Sequence, residues 1–281
     1  MTDSLRIPVG PGALHVARFG FGDRAVVFVH GFGTSSFVWR AVAPALPLGQ
    51  VTAYAVDLFG HGESDRAAEA DYGITAQAAY LDQALTVLRV SSADVVALDV
   101  GCAVALALAA RRPARVRSLV LINPVNPAAP RADDLALLQR LAARHLFDAS
   151  RGQMGARLLL APLLEKGVAN AAQMPEALVL RYLAPFVGRD GTRHLLAIAR
   201  AVNDRALTGV AWERVSAPTL VIRGERDPWV PEAVSAQLAA RLPEGTLRRI
   251  SRASRLVPED APEELAALLV EWVTQRQEDA V

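Results

Sequence analysis

The chain of 281 residues is 52% hydrophobic and 21% charged, a composition typical of a globular protein with one large core. Its 30 basic and 29 acidic residues give a formal charge of +1 and form no long run of one sign. This balance does not favour nucleic acid or an anionic membrane as a partner, so a small molecule is expected.

The N-terminal residues lack the basic-then-apolar pattern of a secretory signal, and no apolar stretch reaches the roughly eighteen residues of a membrane span. We therefore expect a cytoplasmic location. The single cysteine, Cys102, excludes an internal disulfide, and its apolar neighbours favour a packing role.

Apolar runs bounded by turn residues predict strands at seven places: 14–19, 25–29, 51–56, 94–98, 118–122, 219–222 and 246–250. Helical spacing and capping residues predict helices over 36–46, 75–88, 100–110, 232–241 and 262–276. This alternation of strands and helices predicts an α/β protein with a mostly parallel sheet.

Residues 125–212 differ from the rest, because helical segments there follow one another without strands. The predicted helices are 133–147, 154–164, 176–186 and 192–202. We expect these residues to form a helical lid that excludes water and shapes an apolar pocket, inserted into a core of 1–124 and 213–281. Ordinary packing of helices against the core also accounts for most of the apolar residues.

Residues 94–110, DVVALDVGCAVALALAA, pass from a buried strand into an apolar helix without a loop. This forces a sharp turn with Asp99 at its apex, and small residues such as Gly101 let the strand and the helix approach closely. The N-terminus of a helix favours negative charge, so a carboxylate is stable at this point. Asp99 is therefore the first candidate for a reacting group.

Four further motifs follow in a characteristic order: HGFGTSSFVW at 30–39, DLFGHGESD at 57–65, SLVLINP at 118–124 and TLVIRGERDPWVP at 219–231. With the turn at Asp99, they make the chain resemble the α/β-hydrolase superfamily over nearly its whole length. The resemblance implies the α/β-hydrolase fold, a mostly parallel twisted sheet flanked by helices with an inserted lid. It also implies an active site at the carboxyl ends of the strands.

The resemblance assigns an oxyanion hole to the backbone N–H groups of Phe32 and Val100, and the family's catalytic acid to Asp227. The family's catalytic histidine follows the last strand, but this chain has Arg255 there. An arginine has a pKa above about 12 and cannot accept a proton at neutral pH. The standard catalytic triad is therefore absent.

An aspartate at the apex resembles the haloalkane dehalogenase and epoxide hydrolase branch, in which the carboxylate attacks carbon and an activated water hydrolyses the ester. Without a base, such an enzyme would stall as a covalent adduct. Two departures stand against this branch. Val100 replaces a tryptophan common in dehalogenases, and the segment Phe32-Gly33 lacks the proline usual in epoxide hydrolases.

Three interpretations of Asp99 and Arg255 remain open. In the first, Asp99 and Arg255 form an ion pair in a protein that binds a ligand without catalysis. Alternatively, Arg255 binds an anionic group while Asp99 transfers protons, as in an isomerase, lyase, cyclase or decarboxylase. In the third, His145 or His194 of the lid reaches Asp99 and restores hydrolysis.

We favour an enzyme that acts on a small, largely apolar molecule, with Asp99 central, Arg255 as its electrostatic partner and Asp227 positioning Arg255. No metal-ligand cluster or phosphate-binding glycine loop points to a metal or cofactor. The side chains expected to line the substrate pocket are His30, Trp39, His145, His194 and Trp229.

Overall fold

A computed structural model describes residues 2–67, 70–124, 153–188, 190–202 and 211–278. The strands in these residues form one sheet in the order β1-β2-β4-β3-β5-β6-β7-β8. They are β1 (Thr2–Val9), β2 (Gly12–Gly20), β3 (Arg24–Val29), β4 (Val51–Val56), β5 (Ala93–Leu98), β6 (Val116–Ile122), β7 (Thr219–Gly224) and β8 (Thr246–Ile250). The β1–β2 and β2–β4 pairs are antiparallel and the others are parallel.

The described helices are α1 (Ile74–Val87), α2 (Val100–Arg111), α3 (Gln153–Lys166), α4 (Glu176–Leu183), α5 (Gly191–Ala201), α6 (Glu232–Arg241), α7 (Val257–Asp260) and α8 (Pro262–Glu278). Among the described residues, no helix is long and apolar enough to cross a membrane. The mostly parallel sheet with helices agrees with the predicted α/β architecture.

The central strands are continuous apolar runs, because both faces of a parallel sheet are covered by helices. Every residue of β5 is buried, as is nearly all of α2. Helix α2 lies so close to β3 that a Cβ atom at Gly101 would stand 2.4 Å from the His30 carbonyl oxygen. This close approach sets the sharp turn between β5 and α2.

The predicted helix over 36–46 is wrong. Two short 3₁₀ helices, Ser36–Trp39 and Ala43–Ala45, occupy this stretch. Pro44 supplies no N–H for a continuous α-helix, and its ring would clash with the carbonyl one turn earlier. Strand β1 and helix α7 were not predicted; β1 is an edge strand whose mostly exposed residues give little apolar signal.

Helices α3, α4 and α5 confirm three of the four helices predicted within the lid. The fourth, predicted over 133–147, lies outside the described residues. The division of the chain into a core and a lid stays a prediction.

A buried carboxylate joins the loops that follow β3 and β4. Asp57 accepts hydrogen bonds from the backbone N–H groups of Ser36 and Glu63, at 2.5 and 2.8 Å, and contacts His15 Nδ1 at 2.9 Å. The hydrogen bond to Asp57 raises the pKa of His15 despite its burial. Burial disfavours the Asp57 carboxylate, but its hydrogen bonds and the nearby histidines outweigh this effect and lower its pKa.

Because the pKa of His15 is raised in the folded state, protonated His15 stabilises the fold fully below its unfolded pKa. This contribution is lost as the pH rises through the raised value. We therefore expect the wild type to lose more stability than His15→Gln between about pH 6 and about pH 9. Urea denaturation at both pH values measures this, and an equal loss in the two proteins would contradict a protonated His15.

Candidate active site

Asp99 lies at the turn between β5 and α2 with φ 54° and ψ −121°. Residues other than glycine rarely adopt positive φ, and such strain costs about 1–3 kcal/mol. The turn is held by two hydrogen bonds, from the Asp99 N–H to the Ile122 carbonyl at 2.9 Å and from the Cys102 N–H to the Asp99 carbonyl at 3.0 Å. The predicted sharp turn at Asp99 is confirmed.

Both carboxylate oxygens of Asp99 have partners. Oδ2 accepts a hydrogen bond from the Phe32 N–H at 3.0 Å, and Oδ1 accepts one from Arg255 Nη2 in an ion pair. The Asp99 side chain is 3% exposed and that of Arg255 is 11% exposed. The structure thus brings together Asp99, Arg255 and one predicted oxyanion-hole amide.

Burial raises the pKa of the Asp99 carboxyl, since a charged carboxylate is disfavoured away from water. The Arg255 guanidinium and the Phe32 N–H oppose this shift, whereas the negative charge of Asp227 adds to it. Asp99 therefore takes up a proton more readily than an exposed aspartate. This suits a group that transfers protons.

Cys102 contacts the same turn but is fully buried, and burial raises the pKa of its thiol well above the ordinary value. Its Sγ lies 3.3 Å from the Ala97 carbonyl and 3.5 Å from the Ile122 carbonyl. This environment favours the packing role expected from the sequence.

A cavity of about 30 Å³ lies beside Asp99, enough for one or two water molecules. Trp229 lies in its wall, and the Arg255 Cζ atom stands 4.8 Å from the centre of the Trp229 ring. Leu163 and Leu164 of α3 bring the predicted lid to the cavity. The described lining consists of Phe32, Asp99, Leu163, Leu164, Trp229, Arg255 and Leu256.

Asp227 does not contact Arg255. Its Oδ1 accepts hydrogen bonds from the N–H groups of Trp229 at 2.8 Å and Val230 at 3.3 Å, which shape its own loop. Its Oδ2 is buried and has no hydrogen-bond partner in the part of the chain that the structure describes. The expected positioning of Arg255 by Asp227 is therefore not supported by a direct contact.

Asn123 takes this positioning role, which was not predicted from the sequence. Its Nδ2 donates to the carbonyls of Ser254 at 2.9 Å and Arg255 at 3.0 Å, and its Oδ1 accepts from the Gly224 N–H at 3.0 Å. These bonds join the ends of β6 and β7 to the loop after β8. An amide side chain at the carboxyl end of a central strand is the signal that could have identified it.

The loop that carries Arg255 is also bonded to the predicted lid. The Leu256 N–H donates to the Gly167 carbonyl at 2.7 Å. Asp260 accepts from the N–H groups of Ser254 at 2.7 Å and Ala169 at 2.8 Å. These hydrogen bonds tie the segment that follows α3 to the loop of Arg255.

A second connection joins α4 of the predicted lid to the core. The buried Glu259 forms a bidentate ion pair with Arg40, with both contacts at 2.7 Å, and accepts a hydrogen bond from the Tyr182 hydroxyl. Burial and the charge of Glu259 raise the pKa of Tyr182 well above its ordinary value, so the phenol stays protonated as a donor.

His30 and Trp39 do not line the cavity, so both expectations are wrong. His30 is fully buried, with Nδ1 donating to the Gly31 carbonyl at 2.8 Å and Nε2 accepting from the Leu58 N–H at 3.0 Å. Burial lowers its pKa and keeps it neutral. Trp39 is a core residue that packs against Phe28 with ring centres 5.0 Å apart.

His194 is also remote from the cavity. Its Nε2 donates to the Gly60 carbonyl at 2.6 Å, and its ring stacks on Phe186 at 5.7 Å. The prediction that His194 reaches Asp99 is therefore wrong in this structure. His145 lies outside the described residues, and its predicted role stays untested.

Within the described ranges, no group of three or more His, Cys, Asp or Glu side chains could hold a metal ion.

The sequence and the structure are similar to those of known proteins. A family model described as alpha/beta hydrolase fold matches residues 24–262.

Two curated relatives align over most of the chain. A haloalkane dehalogenase of Mesorhizobium japonicum is 28% identical over 96% of this chain and 91% of its own length. A 2-hydroxymuconate semialdehyde hydrolase of Pseudomonas sp. is 31% identical over 80% of this chain and 77% of its own length. The crystal structure of haloalkane dehalogenase DbeA from Bradyrhizobium elkani matches with a TM-score of 0.84, covering 99% of this chain and 100% of that one. At 23% identity, this last likeness concerns the fold alone.

We expect Asn123→Ala to destabilise the protein by about 2–4 kcal/mol, because it leaves buried carbonyl and amide groups without partners. The exposed Gln173→Ala serves as a control and should change stability by less than about 0.5 kcal/mol. Chemical denaturation measures both. Equal stability of the Asn123→Ala protein and the wild type would contradict the role of Asn123 in holding the loop of Arg255.

Proposed function

Because this chain belongs to the α/β-hydrolase fold family, we propose that it is an enzyme that transforms a small, largely apolar molecule with Asp99 as its reacting carboxyl group. Its relatives include hydrolytic enzymes, which supports an enzymatic role. The proposal keeps the cytoplasmic location expected from the sequence. The main support for this role of Asp99 is its contact with a guanidinium: in the described part of the chain, Arg255 and no imidazole contacts Asp99.

A base for hydrolysis is missing at the described site. Arg255 cannot accept a proton at neutral pH. Each of the four described histidines is held elsewhere: His15 by Asp57, His30 and His61 by nearby backbone groups, and His194 by a backbone carbonyl. We therefore propose non-hydrolytic chemistry of the isomerase, lyase, cyclase or decarboxylase class.

In this chemistry Asp99 transfers the proton. Its burial makes the protonated and charged forms closer in free energy than in water, which is what a general acid or base requires. Arg255 stabilises negative charge that develops on the reacting molecule, and Trp229 holds the guanidinium in place. Asp227 acts by raising the proton affinity of Asp99.

The backbone N–H groups of Phe32 and Val100 complete the proposed site as oxyanion donors. The Phe32 N–H is already directed at an oxygen, since it donates to Asp99 Oδ2. Val100 begins α2, where backbone N–H groups have no acceptor within the helix. Phe32, Leu163, Leu164, Leu256 and Trp229 supply an apolar surface for the rest of the molecule.

A second candidate is nucleophilic hydrolysis of the dehalogenase type. The strained apex of Asp99 and the dehalogenase relatives favour it. Here Asp99 attacks an alkyl carbon, the halide leaves with the bonding electrons, and an ester remains on Asp99 until water cleaves it. Unless His145 supplies the base, this ester persists.

Intact-protein mass spectrometry separates the two candidates. Wild type and Asp99→Asn are incubated with epoxides, alkyl halides, activated esters and lactones, and the exposed Asp190→Asn serves as the control. We expect no mass increase in any of the three proteins. An adduct that forms on wild type and Asp190→Asn but not on Asp99→Asn would instead establish nucleophilic chemistry.

Proton transfer is tested directly by exchange of the α-protons of small apolar ketones in D₂O, followed by NMR. We expect wild type to catalyse this exchange and Asp99→Asn to lower the rate by about 10²–10⁴-fold. A folded wild type that exchanges no faster than Asp99→Asn would contradict the proposal and favour a protein that binds its ligand without catalysis.

A further inference from the structure

Arg255 has more hydrogen-bond donors than its described partners use. An arginine side chain carries five N–H donors. Among the described residues, the Arg255 guanidinium donates one hydrogen bond, from Nη2 to Asp99. None of its nitrogens is among the buried side-chain atoms without a partner, although the side chain is only 11% exposed. Arg255 lines the cavity beside Asp99, so its remaining N–H groups are the donors closest at hand for a ligand there.

The geometry of the Arg255 donors favours a planar anion. A guanidinium presents its N–H groups as a flat fork that matches a carboxylate in two parallel hydrogen bonds. The Trp229 ring contacts the same guanidinium, with the Arg255 Cζ atom 4.8 Å from the ring centre. The leucines at 163, 164 and 256 surround the cavity beside Arg255 with apolar surface.

We propose that Arg255 binds the carboxylate of a small apolar acid, and that this carboxylate replaces Asp99 as the partner of Arg255. This proposal rests on the proposed function, because it assumes that Asp99 transfers a proton. It adds that the substrate is a small carboxylic acid. The apolar part of the acid would contact the leucines of α3 that line the cavity.

This exchange of partners changes the charge of Asp99. The charged or titratable side chains that act on Asp99 are Arg255 from the loop after β8, Asp227 from the loop after β7 and Cys102 from α2. Once the ligand occupies Arg255, no described cation remains to balance Asp99, which faces Asp227 and the bound anion. A buried carboxylate in that position takes up a proton from solvent. The substrate therefore converts Asp99 into a neutral acid that can donate a proton.

Calorimetry with matched probes tests the proposal. Cyclohexanecarboxylate is compared with cyclohexanecarboxamide, which has the same shape without the charge. We expect wild type to bind the carboxylate at least about tenfold more tightly than the amide. Titrations in buffers with different ionisation enthalpies should report uptake of a proton on binding.

Two variants act in opposite directions. Arg255→Gln should abolish the preference for the carboxylate. Asp99→Asn should strengthen carboxylate binding by about tenfold or more and abolish proton uptake, because Arg255 is then free of its internal partner. The control is Arg252→Gln, which removes the same charge from an exposed side chain paired with Glu264 at 3.2 Å, and should leave binding unchanged.

Equal affinity for the acid and the amide, or no binding of either, would overturn the inference. So would weaker carboxylate binding by a folded Asp99→Asn protein, which keeps the test valid if Arg255→Gln does not fold. These measurements need no turnover. Carboxylate binding without ketone exchange would uphold this inference and contradict the proposed function, and ketone exchange without carboxylate preference would do the reverse.

Discussion

The close contact between α2 and β3 is the constraint from which the site follows. A Cβ atom at Gly101 would lie 2.4 Å from the His30 carbonyl, and one at Gly31 would lie 2.7 Å from the Asp99 Cβ. Glycine at both positions lets the backbone enclose Asp99 from two sides. The carboxylate is thereby removed from water, and its pairing with Arg255 and its raised pKa are both consequences of that enclosure.

The ends of three parallel strands cooperate in presenting one cation to this carboxylate. Asn123 after β6 bonds the carbonyl of Arg255 itself, while Asp260 and Leu256 connect the same loop to the segment after α3. Asp227, after β7, contributes negative charge at a distance and no contact. The site is therefore organised by backbone hydrogen bonds around one ion pair.

The sequence predicted most of the sheet, because strands buried on both faces are continuous apolar runs. It failed over 36–46, where Pro44 interrupts an otherwise helical pattern. Asp99 and Arg255 could be found because each occupies a recognisable motif. The contacts of Asn123 were not predicted, because they are made with backbone groups more than a hundred residues away and only the position of its amide at a strand end marks it in the sequence. His30 was misplaced because a motif does not reveal that both ring nitrogens bind backbone.

The hydrogen bonds from the loop of Arg255 to Gly167 and Ala169 also bear on kinetics. The bonded segment follows the leucines at 163 and 164, which line the cavity beside Asp99. A ligand that enters past α3 would therefore meet residues whose helix is tied to the loop of Arg255. The association rate, more than the equilibrium affinity, then reports how firmly the segment after α3 is bonded to the core.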